Sequence, residues 1–212
     1  MRKLIISAMA TLMILVTGCR FEYDSKDAVM EPAKIEYQAF TDLGSGKLLL
    51  TPNLAGGAAV KYLHDLSVDR DYHIVIESFG GSAFDLMSVI NRLQELQSLG
   101  YHITTETYGY ALSAGAAIFM CGDTRIVHDG SILMFHGAGF NTFAGRKSMR
   151  SPDSLNEMEK TFIGIMDGEM IKLLIEKTDL TKEEVQNLMY KEDANFISAM
   201  RAFKKGIATE IK

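Results

Sequence analysis

Apolar residues along this 212-residue chain alternate between short runs of strand length and longer stretches with helical spacing. Residues 72–78 form an apolar run that is typical of a buried strand. After a glycine turn at 80–81, apolar side chains recur every three or four positions until Gly100, which is typical of a helix packed on a sheet. Residues 101–107 are β-branched and alternate in polarity, as in another strand. This order predicts an α/β domain with parallel strand pairing.

The remaining pattern extends the same α/β architecture in both directions. Residues 47–51 predict a strand and 56–66 an amphipathic helix. Residues 125–128 and 131–135 flank an Asp129-Gly130 turn, which predicts a hairpin or strand pair. The C-terminal part is predicted to be helical, at 154–177, 181–189 (opened by a capping box from Thr181 to Glu184) and 198–205.

The first nineteen residues differ from the rest of the chain. Arg2 and Lys3 precede an apolar stretch that is short for a membrane span, and small residues follow, as in a secretory signal peptide. The end, Val16-Thr-Gly-Cys19, resembles the bacterial lipobox, which implies cleavage before Cys19 and lipid attachment to it. A plain signal peptide with a coincidental cysteine and an uncleaved anchor are the alternatives. We therefore expect a signal peptide at 1–18, a lipid-anchored tether at 19–46 and a folded domain at 47–212.

Charge and cysteine content narrow the possible partners. Removal of Arg2 and Lys3 with the signal peptide would take the formal net charge from −5 to −7. No basic stripe is present to offset phosphates, so nucleic acid is not an expected partner. With Cys19 lipidated, Cys121 would be the remaining cysteine and could form no intrachain disulfide. Its apolar neighbours favour a buried, structural role.

Ser113 lies in a run of small residues, Tyr108-Gly-Tyr-Ala-Leu-Ser-Ala-Gly-Ala-Ala117. Small neighbours allow a sharp turn with a helix starting directly behind it, which can present a serine oxygen to a substrate. Amides at a helix start also stabilise developing negative charge. The alternative is a serine that merely caps an alanine-rich buried helix.

Three segments with possible chemistry follow predicted strands: Gly80-Gly81, Ser113 and His136. Ligand sites in parallel sheets gather at the carboxyl ends of strands. A serine nucleophile needs a base, a group that orients the base, and amide donors for the oxyanion. His136 can be the base, and the amides of Gly80, Gly81 and Ala114 can form the oxyanion hole. The other four histidines do not follow a buried strand and precede a Gly-Ala-Gly segment as His136 does.

Three sequence blocks resemble the signature blocks of the Clp protease proteolytic subunit family, in the same order. They are Ser78-Phe-Gly-Gly-Ser82, Gly109-Tyr-Ala-Leu-Ser-Ala-Gly-Ala116 and Ile132-Leu-Met-Phe-His-Gly137. The resemblance implies an α/β, ClpP/crotonase-like spiral of β-α-β units with a C-terminal helical part. It also implies peptide substrates, homo-oligomeric assembly, no cofactor and no metal. By motif, Ser113 is the nucleophile, His136 the base, and Gly80 with Ala114 the oxyanion donors; Phe79 stands where the family usually has proline.

The third triad member is assigned through the same resemblance. The family places its aspartate just before a Phe-hydrophobic-Ser-Ala segment, which here begins at Phe196. Asp193 is displaced by one residue from that position, so a one-residue insertion would restore it. Without an insertion Ala194 occupies the position, and Asn195 is then a weaker orienting group.

The predicted lipid anchor implies a place in the bacterial cell envelope, attached to a membrane and facing the periplasm or the exterior. No phosphate-binding loop is present, so neither ATP use nor an ATPase partner is expected. Three other functions remain open: an acyl-CoA enzyme of the crotonase class, a Ser-Lys signal-peptide peptidase with Lys147 or Lys172 as base, and a non-catalytic binding lipoprotein.

Overall fold

The computed structural model describes residues 40–51, 53–54, 61, 63–64, 69–143, 145–191 and 196–212. Within these residues the strands are β1 (Phe40–Gly44), β2 (Lys47–Leu50), β3 (Asn53–Leu54), β4 (Tyr72–Ile76), β5 (Gly80–Gly81), β6 (Ile103–Thr107), β7 (Tyr110–Leu112), β8 (Thr124–Val127), β9 (Ile132–Met134), β10 (Gly139–Thr142), β11 (Gly145–Ser148), β12 (Phe196–Ser198) and β13 (Glu210–Ile211). The helices are α1 (Ala83–Ser98), α2 (Ala114–Cys121), α3 (Glu157–Lys177), α4 (Lys182–Tyr190) and α5 (Ala199–Lys204), with a 3₁₀ turn at Pro152–Ser154.

Six strands form the main sheet, in the order β1-β2-β4-β6-β8-β13. All neighbouring pairs are parallel except β1 with β2. A smaller three-stranded sheet has the order β12-β9-β7, in which β7 and β9 are parallel. This arrangement confirms the α/β fold with parallel pairing that the alternation of strands and helices predicts.

Residues 40–46 belong to the folded domain in the structure, although the sequence places them in the tether. Phe40 is buried, and β1 pairs with β2 across the turn at 44–46. Gly44, Ser45 and Gly46 all have positive φ, as such a tight turn requires. Gly44 and Gly46 therefore belong to a hairpin turn of the folded domain.

β8 and β9 do not pair with each other, so the predicted hairpin around Asp129-Gly130 is wrong. β8 lies between β6 and β13 in the main sheet, whereas β9 lies between β7 and β12 in the small one. The turn instead carries the chain from one sheet to the other, because both strands find partners elsewhere. This transfer places β9 beside β7, the strand that precedes Ser113.

Helix α2 is buried along its whole length. Its alanines and glycine allow close approach: a Cβ on Gly115 would lie 3.1 Å from Ser78 Cβ. Cys121 is buried at its end, as predicted, and burial raises the pKa of its thiol to about 12. Helices α1 and α4 agree with the predicted helices, and Thr181 and Glu184 form the predicted capping box.

Most of the helix predicted at 56–66 lies outside the described residues, although Lys61, Leu63 and His64 are helical. None of the helices in the described segments is both long and apolar enough to cross a membrane.

Candidate active site

Ser113 occupies the turn between β7 and α2 in a strained backbone conformation. Its φ is 56° and its ψ −120°, in the positive-φ region that non-glycine residues rarely adopt. Although Ser113 is the N-cap residue of α2, its side chain makes no capping hydrogen bond. The hydroxyl is thus not used as a helix cap, and the backbone around it is strained, which argues against the alternative of a simple capping serine.

Strand pairing brings Ser113 and His136 to the same place. Leu112 is paired with Met134 in the parallel β7–β9 ladder, and the Ser113 amide donates to the Met134 carbonyl at 2.8 Å. Ser113 follows the first of these strands directly, and His136 follows the second after one residue. Both side chains line one cavity, without a hydrogen bond between them among the described residues.

Gly80 and Gly81 lie against the Ser113 turn. Both have positive φ, 99° and 151°, which favours glycine. The Gly80 amide donates to Ser78 Oγ at 3.1 Å, so it already has a partner. Ala114 is the first residue of α2, and its amide therefore has no acceptor within the helix. A Cβ on Gly80 would lie 2.9 Å from this amide nitrogen, which places the glycine turn and the helix start side by side.

His136 is half-buried, and its imidazole is held by the backbone. Its Nδ1 lies 2.6 Å from the carbonyl oxygen of Gly137. Arg146, on β11, donates from Nη2 to the same carbonyl at 3.0 Å and lies 3.2 Å from Nδ1. Burial lowers the pKa of His136; the bond to Gly137 opposes this effect, whereas Arg146 and Arg150 lower the pKa further. His136 is therefore biased toward the neutral form that a general base requires.

Asp167 is the functional candidate that sequence reasoning missed. It is 2 % exposed on the inner face of α3, and its two oxygens accept from the Ala138 amide at 2.6 Å and the Tyr190 hydroxyl at 2.9 Å. The pKa of Asp167 is raised above its usual value, because burial raises it and the two donors and Arg146 offset this effect only in part. The signal in the sequence was a carboxylate on the apolar stripe that also includes Ile163, Met170 and Leu174.

The cavity that holds these groups measures about 600 Å³ and is lined by polar and apolar groups in similar measure. Its aromatic side is a cluster in which Phe162 contacts both Phe84 and Phe140, with ring centroids 5.0 Å and 5.3 Å apart. Its polar lining residues are Asn53, Ser82, Ser113, His136, Arg146 and Asp167. Aromatic and methionine side chains beside a serine and a histidine can bind an apolar group of a ligand next to these two polar residues.

Other sequence-derived candidates are placed elsewhere. Lys147 pairs with Glu159 at 3.2 Å, Lys172 is exposed, and neither lines the described cavity. His73 and His128 each lie 2.8 Å from buried Glu106, which indicates a structural role for both. Asp193 and Cys19 lie outside the described residues. No group of three or more His, Cys, Asp or Glu side chains in the described part of the chain is arranged to hold a metal ion.

Comparison with known proteins bears on the fold. The family model described as Clp protease matches residues 57–212. A solved structure of a mutant ClpP1 from Listeria monocytogenes superimposes with a TM-score of 0.62 at 20% sequence identity, covering 79% of this chain and 91% of that one. A search of curated proteins gives no match. The fold is therefore ClpP-like.

Proposed function

Since this chain belongs to the Clp protease family, we propose that it is a serine peptidase in which Ser113 is the nucleophile and His136 the general base. The observation that carries the proposal is the strained Ser113 turn, whose hydroxyl is not used for capping and shares a cavity with His136. Backbone strain of this kind is retained where a function needs the geometry.

The proposed reaction follows the serine peptidase scheme. Ser113 Oγ attacks the carbonyl carbon of the peptide bond while His136 Nε2 takes the hydroxyl proton. The C–N bond then breaks, and Nε2 returns the proton to the leaving amine. Water, activated by the same nitrogen, hydrolyses the Ser113 ester and releases the acid. The lowered pKa of His136 keeps Nε2 available as an acceptor.

The amides of Gly80, Gly81 and Ala114 are the proposed oxyanion donors. Because the Gly80 amide donates to Ser78 Oγ in this structure, Gly81 and Ala114 are the better candidates. The role of Gly80 is then structural: because it has no Cβ atom, the glycine turn can lie close to the start of α2. Two such donors stabilise the charge that develops on the carbonyl oxygen in the transition state.

Asp193 is the orienting carboxylate proposed from the sequence. An imidazole has a single Nδ1–H, which faces the Gly137 carbonyl in this structure. The proposal therefore requires Asp193 to replace or share that carbonyl as the partner of Nδ1.

The substrate that fits best is a peptide with a large apolar side chain next to the cleaved bond, since four phenylalanines and five methionines line the cavity. Labelling by a serine-directed fluorophosphonate tests the assignment. Wild type should be labelled at Ser113, and Ser113→Ala should lose both labelling and about 10⁶-fold in peptide hydrolysis. Ser88→Ala, at a serine of α1 that does not line the cavity, is the control. Labelling that persists in Ser113→Ala would mean that another serine is the reactive one and would exclude this mechanism, whereas a wild type that is not labelled would favour a crotonase-type or binding function.

We further propose that the protein is anchored through Cys19 in the cell envelope, acts without ATP or an ATPase partner, and assembles with copies of itself. Exposed apolar side chains on α3 and at the tip of the β10–β11 hairpin support self-assembly: Met158, Ile165 and Phe143 are 78%, 61% and 115% exposed. Light scattering on wild type and Ile165→Glu measures the assembly. A monomeric wild type would contradict this part of the proposal.

A further inference from the structure

The peptide group between Gly137 and Ala138 is hydrogen-bonded at both ends. Its carbonyl oxygen lies 2.6 Å from His136 Nδ1, and its N–H donates to Asp167 Oδ1, also at 2.6 Å. A carbonyl oxygen can only accept, and its 2.6 Å distance from Nδ1 is shorter than the 3.2 Å that separates Nδ1 from the Arg146 Nη2 donor, so Nδ1 is assigned the proton. The lone pair of neutral His136 is then on Nε2, the nitrogen that must accept the serine proton.

Asp167 is held in place to make this contact. It lies in the middle of α3, where a buried carboxylate is costly unless both oxygens are hydrogen-bonded. The Ala138 amide and the Tyr190 hydroxyl supply one donor to each oxygen, which favours the ionised form. Gly137 leaves the necessary space, because a Cβ there would lie 2.7 Å from Asp167 Oδ2.

A charge at one end of this peptide group affects the other end. A carboxylate that accepts from an amide polarises it, so the carbonyl oxygen becomes more negative and a better acceptor. The His136 imidazole is thereby oriented through Nδ1–H, and the imidazolium formed during catalysis is stabilised. Arg146 donates to the same carbonyl, and its positive charge opposes the stabilisation of the imidazolium. The negative charge of Asp167 offsets this positive charge.

We propose that Asp167 is a positioning residue for His136, acting through the Gly137–Ala138 peptide group. For catalysis this inference rests on the proposed peptidase function. The hydrogen-bonded connection from carboxylate to imidazole is independent of activity, and it can be measured in a protein that does not turn over.

The first test is an NMR titration of the full chain labelled with ¹⁵N-histidine, in the Ser113→Ala background. Neutral His136 should be the Nδ1–H tautomer. Asp167→Asn, which keeps the shape of the side chain and removes its charge, should lower the pKa of His136 by roughly one unit, as expected for one charge a short distance away. Glu176→Gln removes the same charge from an exposed position of α3 and should leave the pKa unchanged.

The second test is kinetic, in the protein with Ser113 intact. Asp167→Asn should lower kcat about 10- to 100-fold, as loss of a group that supports a functional histidine commonly does. KM should stay within about twofold, and the acid limb of kcat/KM should move to lower pH. If Asp167→Asn does not fold, Gly137→Ala provides a second variant, because its Cβ displaces the carboxylate and should shift the His136 pKa in the same direction.

The outcomes separate the two proposals. If wild type is not labelled by fluorophosphonate, the peptidase function fails, and the NMR titration still tests the connection between Asp167 and His136. An Nε2–H tautomer, or the same His136 pKa in Asp167→Asn and Glu176→Gln, would overturn the inference even in an active peptidase.

Discussion

A Cβ atom on Gly80 would lie 2.6 Å from the Cβ of Ser113. It would also lie 2.8 Å from the Leu112 carbonyl oxygen and 2.9 Å from the Ala114 nitrogen. These are backbone atoms of the strained serine turn, so they cannot move aside as the end of a flexible side chain can. Position 80 therefore requires a glycine for two reasons: there is no room for a Cβ atom, and the φ of 99° disfavours other residues.

Gly80→Ala should therefore damage both stability and the serine turn. Strain from a positive φ and overpacking should together cost about 2–4 kcal/mol. Gly100→Ala is the matched control, since Gly100 has a φ of 91° but nothing within 4 Å of its Cβ position. Urea unfolding and fluorophosphonate labelling measure the two effects. Equal stability of the two variants would show that the close approach to Ser113 has no energetic consequence.

The pH dependence of activity should report the charges around His136. Burial and two arginines lower the pKa of His136 from its usual 6.5. A general base must be neutral, so the acid limb of kcat/KM should have its midpoint below pH 6.5. Arg146→Gln removes a positive charge near Nδ1, which should raise the pKa and move the midpoint to higher pH. An unchanged or lowered midpoint would contradict this assignment.

Arg92→Gln is the control for the pH experiment. Arg92 lies on α1 and pairs with Glu95 at 2.7 Å, away from the cavity wall that holds Arg146. Its loss changes the net charge of the protein equally but should leave the midpoint unchanged. Asp167→Asn should move the midpoint in the opposite direction to Arg146→Gln, since it removes a negative charge.

The fold and the centre of the site follow from local sequence signals. Ser113 and His136 each follow a strand, and the order of strands and helices predicts that strand ends meet. The pairing of Leu112 with Met134 brings the ends of these two strands together. The glycine turn was predicted as well, because positive φ at Gly80 and Gly81 is a local requirement of the backbone.

The features that the sequence did not predict depend on contacts distant along the chain. Asp167 lies 29 residues from Ala138, whose amide donates to it, and nothing in its helical segment reveals that contact. β10 and β11 are short, and their polar and glycine residues give little strand signal. β8 and β9 were recognised as strands, but their partners were assigned by proximity in sequence, and the small sheet offered better ones.

Membrane attachment through Cys19 is tested by replacing the cysteine. Several acyl chains hold a protein firmly at a membrane, so wild type should sediment with membranes and resist extraction by salt. Cys19→Ala should move the protein to the soluble fraction. Cys121→Ala, which removes the buried cysteine of α2, should leave fractionation unchanged. A Cys19→Ala protein that stays as tightly bound as wild type would rule out the lipid anchor.

The roles proposed for Asp193 and Asp167 lead to different expected effects on His136. A carboxylate that contacts Nδ1–H directly both fixes the tautomer and stabilises the imidazolium, and its change to an amide lowers kcat by roughly 10⁴. Asp193→Asn should then lower kcat/KM by about that factor with the fold unchanged. The effect of Asp167→Asn should be smaller, because its charge reaches His136 through a peptide group.

The decisive measurement compares kcat/KM for Asp193→Asn, Glu192→Gln and Asn195→Ala on one peptide that carries a large apolar residue. Glu192 and Asn195 flank Asp193 and control for local changes of charge and hydrogen bonding. If Asp193→Asn is the mildest of the three, Asp193 does not orient His136, and the one-residue displacement from the family position is a real departure. The Gly137 carbonyl, polarised by Asp167, would then be the remaining partner of Nδ1, because the two already lie 2.6 Å apart.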